Sequence, residues 1–219
     1  MKPDFKRGYY RRLFTWKELE YLINIRPLLY TKRVYILGSG EYRWTSSSWA
    51  KEKSCYPPSL FRDAMEKYVC YLADMSRCTK KINDFAQKLE DTYNSPVDAH
   101  IYMCRNPKLE HPFGIHFDTN PNVIVQCEGK TNFKVWEEVK DPNHEFHHLE
   151  MDSSPILDVD MKPGDAIWIP EFYPHLATSK TSRLSVSFPL KSVIGFEDRT
   201  WVNFERINAW KGKDLIRDW

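Results

Sequence analysis

The sequence predicts a mainly β domain, a sandwich or barrel preceded by helices, and three observations carry that prediction. Aromatic residues make up 15% of the chain, with 12 Phe, 12 Tyr and 8 Trp, and such side chains suit strands and cavity walls. After residue 96, short β-branched or aromatic runs alternate with turn signals, which is the rhythm of a sandwich or barrel. Before it, apolar residues recur at helical spacing. The expected layout is a helical and strand-bearing part over 1–95, a β core over 96–192 and a tail over 193–219.

The elements follow in order. Thr15-Trp16-Lys17-Glu18 reads as a capping box, opening a helix with Trp16, Leu19, Leu22 and Ile23 on one face and Pro27 as its stop. Residues 33–37 (RVYIL) read as a strand closed by Gly38-Ser39-Gly40. Residues 41–58 show no period, and Trp44 to Trp49 reads as a loop. Ser59 caps a second helix, whose stripe is Phe61, Ala64, Met65, Tyr68, Val69, Leu72 and Met75. A third helix follows Thr79, with Ile82, Phe85, Ala86, Leu89 and Tyr93 on its stripe, and stops at Ser95-Pro96. These stripes are packing faces. The runs VDAHIYMC, VIVQC, NFKVW, DAIWI and RLSVSF read as strands. Glu128-Gly129-Lys130 and Lys162-Pro163-Gly164-Asp165 read as turns between them.

A chain of 219 residues buries roughly 70% of its unfolded surface, so no disulfide or metal is needed simply to fold. The net charge of +2, from 32 basic and 30 acidic residues, gives no strong pull on nucleic acid or acidic membranes. Neither is expected as a partner, and the basic run at residues 6–12 (KRGYYRR) reads as a solvated face. The five cysteines are odd in number and contain no CxxC. They read as reduced thiols of an intracellular protein, cytoplasmic or nuclear. The charged start lacks the apolar core of a signal peptide, and no 18-residue apolar run suggests a membrane span. Trp201, Trp210 and Trp219 make the tail aromatic, suited either to packing on its own barrel or to a homodimer interface.

The chemistry concentrates in His116-Phe117-Asp118. Strand side chains alternate faces, so residues two apart point the same way. The imidazole and carboxylate therefore converge, as two-thirds of the two-His-one-carboxylate face that holds non-haem iron(II) with open positions. His175, after a turn and a strand in GDAIWIPEFYPH, is the natural third ligand. His144, His147 and His148 lie in a polar stretch and read as a surface loop.

Three elements coincide in HFDTNPNVIVQCEGKTNFKVWE, MKPGDAIWIPEFYPH and SRLSVSF: the HxD, a Gln126-to-Gly129 hairpin, and a Gly-Asp turn leading to Ile-Pro and His. Over roughly residues 97–190 the chain here resembles the JmjC and cupin-like iron(II)- and 2-oxoglutarate-dependent oxygenases, including the ribosomal-protein and asparaginyl hydroxylase branch. The resemblance implies a double-stranded β-helix, or jelly roll. It also implies iron held by His116, Asp118 and His175, with 2-oxoglutarate and O2 as cosubstrates. That branch usually carries a Lys or Arg fifteen residues after the first His to meet the far carboxylate, whereas Thr131 stands there in this chain. Lys130 and Lys134 flank it, but alternation turns them away from the face of Thr131, Phe133 and Val135. Arg183, in Arg183-Leu184-Ser185, resembles the Arg-x-Ser clamp of other 2-oxoglutarate oxygenases, which makes Arg183 and Ser185 the second candidates. Tyr102 and His100, two apart on the preceding strand, occupy places the family gives to cosubstrate contacts. The substrate implied by the branch is a peptide or protein side chain. A free amino acid, small metabolite or nucleobase is the alternative. A non-catalytic cupin-fold binding protein is the rival from another class, and Thr131 is its best support.

Overall fold

The computed structural model describes residues 2–24, 34–38, 41–43, 57–107, 111, 113–139 and 148–190, and counts are of those residues. Three helices and nine strands follow one another as β1 (Asp4–Lys6), α1 (Trp16–Asn24), β2 (Val34–Gly38), β3 (Glu41–Arg43), α2 (Pro58–Lys67), β4 (Val69–Leu72), α3 (Lys80–Tyr93), β5 (His100–Cys104), β6 (Asn122–Val135), β7 (Leu157–Met161), β8 (Ala166–Ile169) and β9 (His175–Pro189). The strands pair in the order β1-β8-β6-β9-β5-β4-β2-β3, with β7 on β6. Every pairing is antiparallel.

Two long strands make the barrel. The first half of β6 pairs with β8 and with residues 185–189 of β9. Its second half pairs with β7 and with residues 175–179 of β9. Between the halves the register shifts twice, at Gln126/Glu128 and at Gly129/Thr131. Bulges of this kind bend a strand sharply, so β6 and β9 each pass from one layer of the jelly roll into the other. Side-chain alternation then separates two cores. Leu19, Ile23, Phe61, Met65, Ile82 and Phe85 pack with Val125, Val186 and Phe188 where helices meet the outer sheet face. Ile124, Phe133, Val135, Ile167, Ile169 and Ala177 fill the barrel interior.

The local signals explain α1 and α3. Thr15 Oγ1 accepts from the Glu18 backbone N–H at 3.2 Å and lies 2.8 Å from the Glu18 carboxylate, so the hydroxyl donates to that side chain. Thr79 caps α3 by accepting from Ile82 N at 3.3 Å, and Asn94 closes it in the left-handed conformation.

Several expectations are corrected. The second helix begins at Pro58 behind Pro57, not at a Ser59 cap, and ends at Lys67. Tyr68 is extended, and Val69 to Leu72 form β4 between β2 and β5. Tyr68, Val69, Leu72 and Met75 thus belong to a strand and its exit, because β-branched and aromatic residues gain more from the ladder there than from another helical turn. The Gln126–Gly129 hairpin and the Glu128-Gly129-Lys130 turn do not exist: VIVQC and NFKVW are halves of one 14-residue strand. Gly129, at φ +74°, is the left-handed bulge residue. The turn at Lys162–Asp165 stands, with Asp165 N–H donating to Lys162 O at 2.9 Å. The short strands β1, β3 and β7 add to those read from sequence. Pro27, Ser39-Gly40, the Trp44–Trp49 segment, His144, His147 and the tail over 193–219 lie outside the described residues. No described helix is long and apolar enough to cross a membrane.

Candidate functional site

His116 and His175 face each other as a two-way backbone pair. His116 N–H donates to His175 O at 3.1 Å, and His175 N–H donates to His116 O at 2.7 Å. This bridge joins segments far apart in sequence and sets the ring centroids 4.3 Å apart. Asp118 lies two residues beyond His116, and its backbone carbonyl accepts from Phe172 N–H at 2.9 Å. The ligand-type atoms of His116, Asp118 and His175 lie within 4.8 Å of one another. His175 Nε2 is 3.9 Å from Asp118 Oδ2.

Each ring is oriented by its other nitrogen. His116 Nδ1 lies 3.0 Å from Gly114 O, and His175 Nδ1 lies 3.0 Å from Tyr173 O. A carbonyl only accepts, so both Nδ1 atoms donate, which leaves the Nε2 atoms as the ones available to a metal. Asp118 has its own support: Asn122 Nδ2 reaches Asp118 Oδ2 at 3.5 Å, while Ser187 Oγ donates to Asn122 Oδ1 at 2.8 Å. Both histidines are buried and Asp118 is partly exposed, so the trio opens at the barrel mouth. Two imidazoles and one carboxylate on one side of a point suit a ferrous ion with positions left for other ligands.

Inside the barrel, Arg183 is 2% exposed. Its Nε donates to Ser185 Oγ at 3.1 Å. Its guanidinium carbon sits 5.4 Å from the Tyr102 ring centroid and 5.6 Å from that of Phe133. No carboxylate among the described residues pairs with it, and burial pushes its pKa down. Thr131 is fully buried, and its Oγ1 has no hydrogen-bond partner; Gln126 Oε1 is in the same state. Thr131 pairs with Ser179 and Gly129 with Arg183 on adjacent rungs of the β6–β9 ladder. A buried cation without a carboxylate partner among the described residues and a buried hydroxyl without a hydrogen bond therefore lie on neighbouring rungs. Such groups are costly without a partner, and a small carboxylate ligand fits them both.

The site residues expected from sequence divide accordingly. His116, Asp118 and His175 come together. Arg183, Ser185, Tyr102 and Thr131 share the barrel interior beside them. His100 is held elsewhere: its Nε2 lies 3.2 Å from Asp98 Oδ2, and its ring stacks on Tyr71 at 5.7 Å. Lys130 is exposed and Lys134 reaches towards Asp158, in keeping with their expected outward face. Sequence reading missed two contributors. His111 is buried and stacks on His116 at 5.0 Å, linking it to Tyr102 at 5.7 Å; a lone histidine before a proline gives no signal of this. Asn122, four residues after Asp118, had a short polar spacing as its only clue. His148 lies over Gly114 at the mouth, with its N–H on Phe113 O at 2.8 Å.

Comparison with known proteins now bears on this geometry. The JmjC domain family model matches residues 72–195, more than half of the chain. The chain is similar to the bifunctional lysine-specific demethylase and histidyl-hydroxylase NO66 of Drosophila persimilis, at 22% identity over 150 residues, 67% of this chain and 21% of that protein. It is similar to rat ribosomal oxygenase 1 at 24% identity over 130 residues, 55% of this chain and 20% of that one. It thus spans about a fifth of the length of these relatives. Among solved structures, Escherichia coli YcfD, a ribosomal oxygenase in complex with cobalt and 2-oxoglutarate, superposes with a TM-score of 0.59 at 13% identity, covering 95% of this chain and 50% of that one. YcfD with cobalt and succinic acid gives 0.57 at 13%, covering 99% and 63%. These superpositions establish the jelly roll. With the family match over the segment that carries all three converging side chains, the chain belongs to the JmjC domain family.

Proposed function

We propose that the chain is an iron(II)- and 2-oxoglutarate-dependent oxygenase that hydroxylates a C–H of a protein side chain. The observation that carries this is the His116–Asp118–His175 trio together with a buried Arg183 that has no carboxylate partner among the described residues and is linked to it through the Tyr102 and His111 rings. His116 Nε2, His175 Nε2 and the Asp118 carboxylate would hold the metal. Arg183, with Thr131 Oγ1 beside it, would meet the far carboxylate of 2-oxoglutarate. Iron with 2-oxoglutarate and O2 supplies the oxidising power for C–H hydroxylation, yielding succinate and CO2.

The protein's own share is positioning and exclusion of water. The carbonyls of Gly114 and Tyr173 fix both imidazoles in one tautomer. Asn122, oriented by Ser187, reaches Asp118 Oδ2, the oxygen that faces His175 Nε2 at 3.9 Å, and so holds the carboxylate towards the metal position. Ser185 Oγ accepts a hydrogen bond from Arg183 Nε–H, so the two terminal nitrogens remain for a carboxylate contact. The Tyr102 and Phe133 rings hold the guanidinium plane between them and keep its surroundings dry. A protein substrate is supported by the names of the relatives, which describe histidyl hydroxylation and ribosomal oxygenation. An intracellular setting is supported by the four described cysteines, all free. A non-catalytic binder has no use for the intact trio in a barrel that also buries Arg183 without a carboxylate partner among the described residues.

The test incubates the protein with iron(II), ascorbate and 2-oxoglutarate and measures succinate, without and with histidine-containing ribosomal-protein peptides. Succinate should form, peptide should increase it with a mass gain of one oxygen, and Asp118→Ala should abolish both. Failure of wild type to bind 2-oxoglutarate in the presence of metal would remove the proposal.

A further inference from the structure

A second cavity, of about 210 Å³, lies on the helix side of the barrel wall and shares no residue with the metal centre. Lys2, Asp4, Lys6, Tyr9, Tyr93 and Trp168 line it. Its floor is aromatic: Tyr93 stacks on Trp168 with centroids 5.1 Å apart and planes 10° from parallel. The Trp168 Nε1–H is buried and makes no hydrogen bond, a donor whose desolvation the fold does not offset. The rim is cationic. Lys6 Nζ lies 5.6 Å and Lys88 Nζ 5.9 Å from the Tyr9 ring centroid, on a tyrosine that is itself 41% exposed. Asp4 is the one carboxylate of the lining, and its exposed pair with Lys6 at 3.8 Å is weak and readily exchanged.

The charge of the surrounding chain has the same sign. Residues 1–12 carry five basic side chains against one acidic, although the whole chain is only +2. Of these only Lys2 and Lys6 line the cavity, against Asp4, while Arg7 pairs with Asp165 at 3.4 Å, so the two lysines carry the excess at the rim. A volume below the roughly 300 Å³ at which drug-sized sites begin admits one ring system and leaves any attached group at the rim. A planar ring joined to an anion is the chemistry that suits the aromatic floor and the cationic rim together.

We propose that this cavity is a nucleotide-binding site. It takes one base against Tyr93 and Trp168 and its phosphate between Lys2 and Lys6. The shared ligand chemistry is a nucleoside phosphate, whether free or part of a single strand.

The test uses the full chain, with isothermal titration of AMP and fluorescence anisotropy of a labelled single-stranded RNA about ten nucleotides long. Binding of both probes supports the site with a free nucleotide as the minimal ligand; binding of the RNA alone supports it with a strand as the ligand. In either case Tyr93→Ala should weaken binding at least about fivefold, the lower bound for loss of one base–aromatic stack. The Lys2→Glu/Lys6→Glu pair changes only exposed side chains and keeps the fold testable. It should weaken binding at least tenfold and flatten the salt dependence of RNA binding by about 1.4 in log–log slope. Binding of neither probe at millimolar AMP and micromolar RNA overturns the proposal. So does binding unchanged in both variants, or inorganic tripolyphosphate competing as well as AMP, which would reduce the feature to bare charge. Cosubstrate binding at the metal centre should be the same in both variants, so the result stands apart from the oxygenase reading.

Discussion

Replacing Arg183 with methionine separates two effects that usually travel together. In the ligand-free protein the guanidinium is buried without an anion, and burial lowers its pKa. The protonated form is therefore disfavoured in the fold relative to water, and at every accessible pH this works against stability. Three contacts oppose it: the bond to Ser185 Oγ at 3.1 Å and the two ring contacts at 5.4 and 5.6 Å. The bond contributes about 1 kcal/mol and each ring contact about 0.5–1 kcal/mol or more. Removing all of these together with the charge should leave ligand-free stability within about 1 kcal/mol of wild type, a melting shift of no more than about 2–4 °C for a chain of this size. Cosubstrate binding should respond quite differently. Two terminal nitrogens remain for a carboxylate, and charge-assisted bonds contribute about 1.5–3 kcal/mol each. The lower bound of about 3 kcal/mol for the pair corresponds to roughly 100-fold in dissociation constant. Thermal melts with manganese(II) and 2-oxoglutarate read both quantities. At a ligand concentration about 100 times the wild-type dissociation constant, wild type gains about 2.7 kcal/mol, or about 5–10 °C. The variant, with its constant equal to that concentration, gains about 0.4 kcal/mol, or about 1 °C. A variant that melts much earlier yet keeps its full ligand-induced shift would show that Arg183 serves packing alone.

Three further outcomes are expected. Thr131→Val deletes an unpartnered buried hydroxyl with little change of shape; chemical denaturation should find stability unchanged or raised by up to about 1 kcal/mol, while titration finds 2-oxoglutarate bound roughly tenfold more weakly, the loss of one hydrogen bond to a charged group. Gly129→Ala sets a Cβ 1.6 Å from Ser182 O at φ +74°; strain of about 1–3 kcal/mol plus that backbone clash should shift urea denaturation by at least about 3 kcal/mol, and an unchanged midpoint would contradict the bulge. Burial pushes the Cys78 thiol from its ordinary 9.0 up to about 12, and pushes those of Cys70 and Cys127 higher still. All three should resist a thiol reagent at pH 8 until urea is added. Because the unfolded thiols ionise from about pH 9 while the folded ones keep their protons, stability should be complete below that pH and fall as pH rises towards 12, by about 1.4 kcal/mol per pH unit for each thiol; a flat alkaline limb would refute this.

What sequence could and could not reveal follows from the range of the forces involved. His116 and Asp118 were legible as a pair two residues apart, although the segment is not the strand expected: His116 makes an isolated bridge and Asp118 lies beyond it. His175 was named as their partner, but the bridge that brings it there is a long-range pairing that no spacing encodes. The helix after Thr79 was legible because cap, stripe and stop agree. Residues 68–75 were not, because Val69, Leu72 and Met75 continue the helical stripe of Phe61 and Met65 while also suiting a strand. The choice was made by β2 and β5, which flank them. Glu128-Gly129-Lys130 failed for a related reason: a left-handed glycine serves a hairpin or a bulge equally well, and only the neighbouring strand decides. His100 was named from its strand face and from the family resemblance, and neither shows that Asp98 engages it.

The bulge also accounts for the threonine where the family usually has a base. Strict alternation from Ile124 and Gln126, both inside the barrel, would have turned Thr131, Phe133 and Val135 outward and Lys130 and Lys134 inward. Instead Cys127 and Glu128 together oppose one partner step. Cys127 joins the helix-side core, and Glu128 accepts from Trp16 N–H at 2.8 Å. One extra residue thus flips the parity, and both lysines go to solvent. On β9 the ladder passes from Ser179 to Arg183 while β6 advances only from Thr131 to Gly129, so residues 180–182 loop aside. Ser182 O then comes so near Gly129 that no side chain fits there. Arg183 consequently enters the barrel opposite a residue without a side chain and one rung from Thr131. A long basic residue at 131 and an arginine at 183 would compete for the same space and repel, since like charges in a dry interior are costly. With threonine at 131 the pocket holds one cation and one hydroxyl, a set suited to a single carboxylate. The threonine at 131 and the arginine at 183 are therefore one arrangement, in which the positive charge comes from β9 and not from β6.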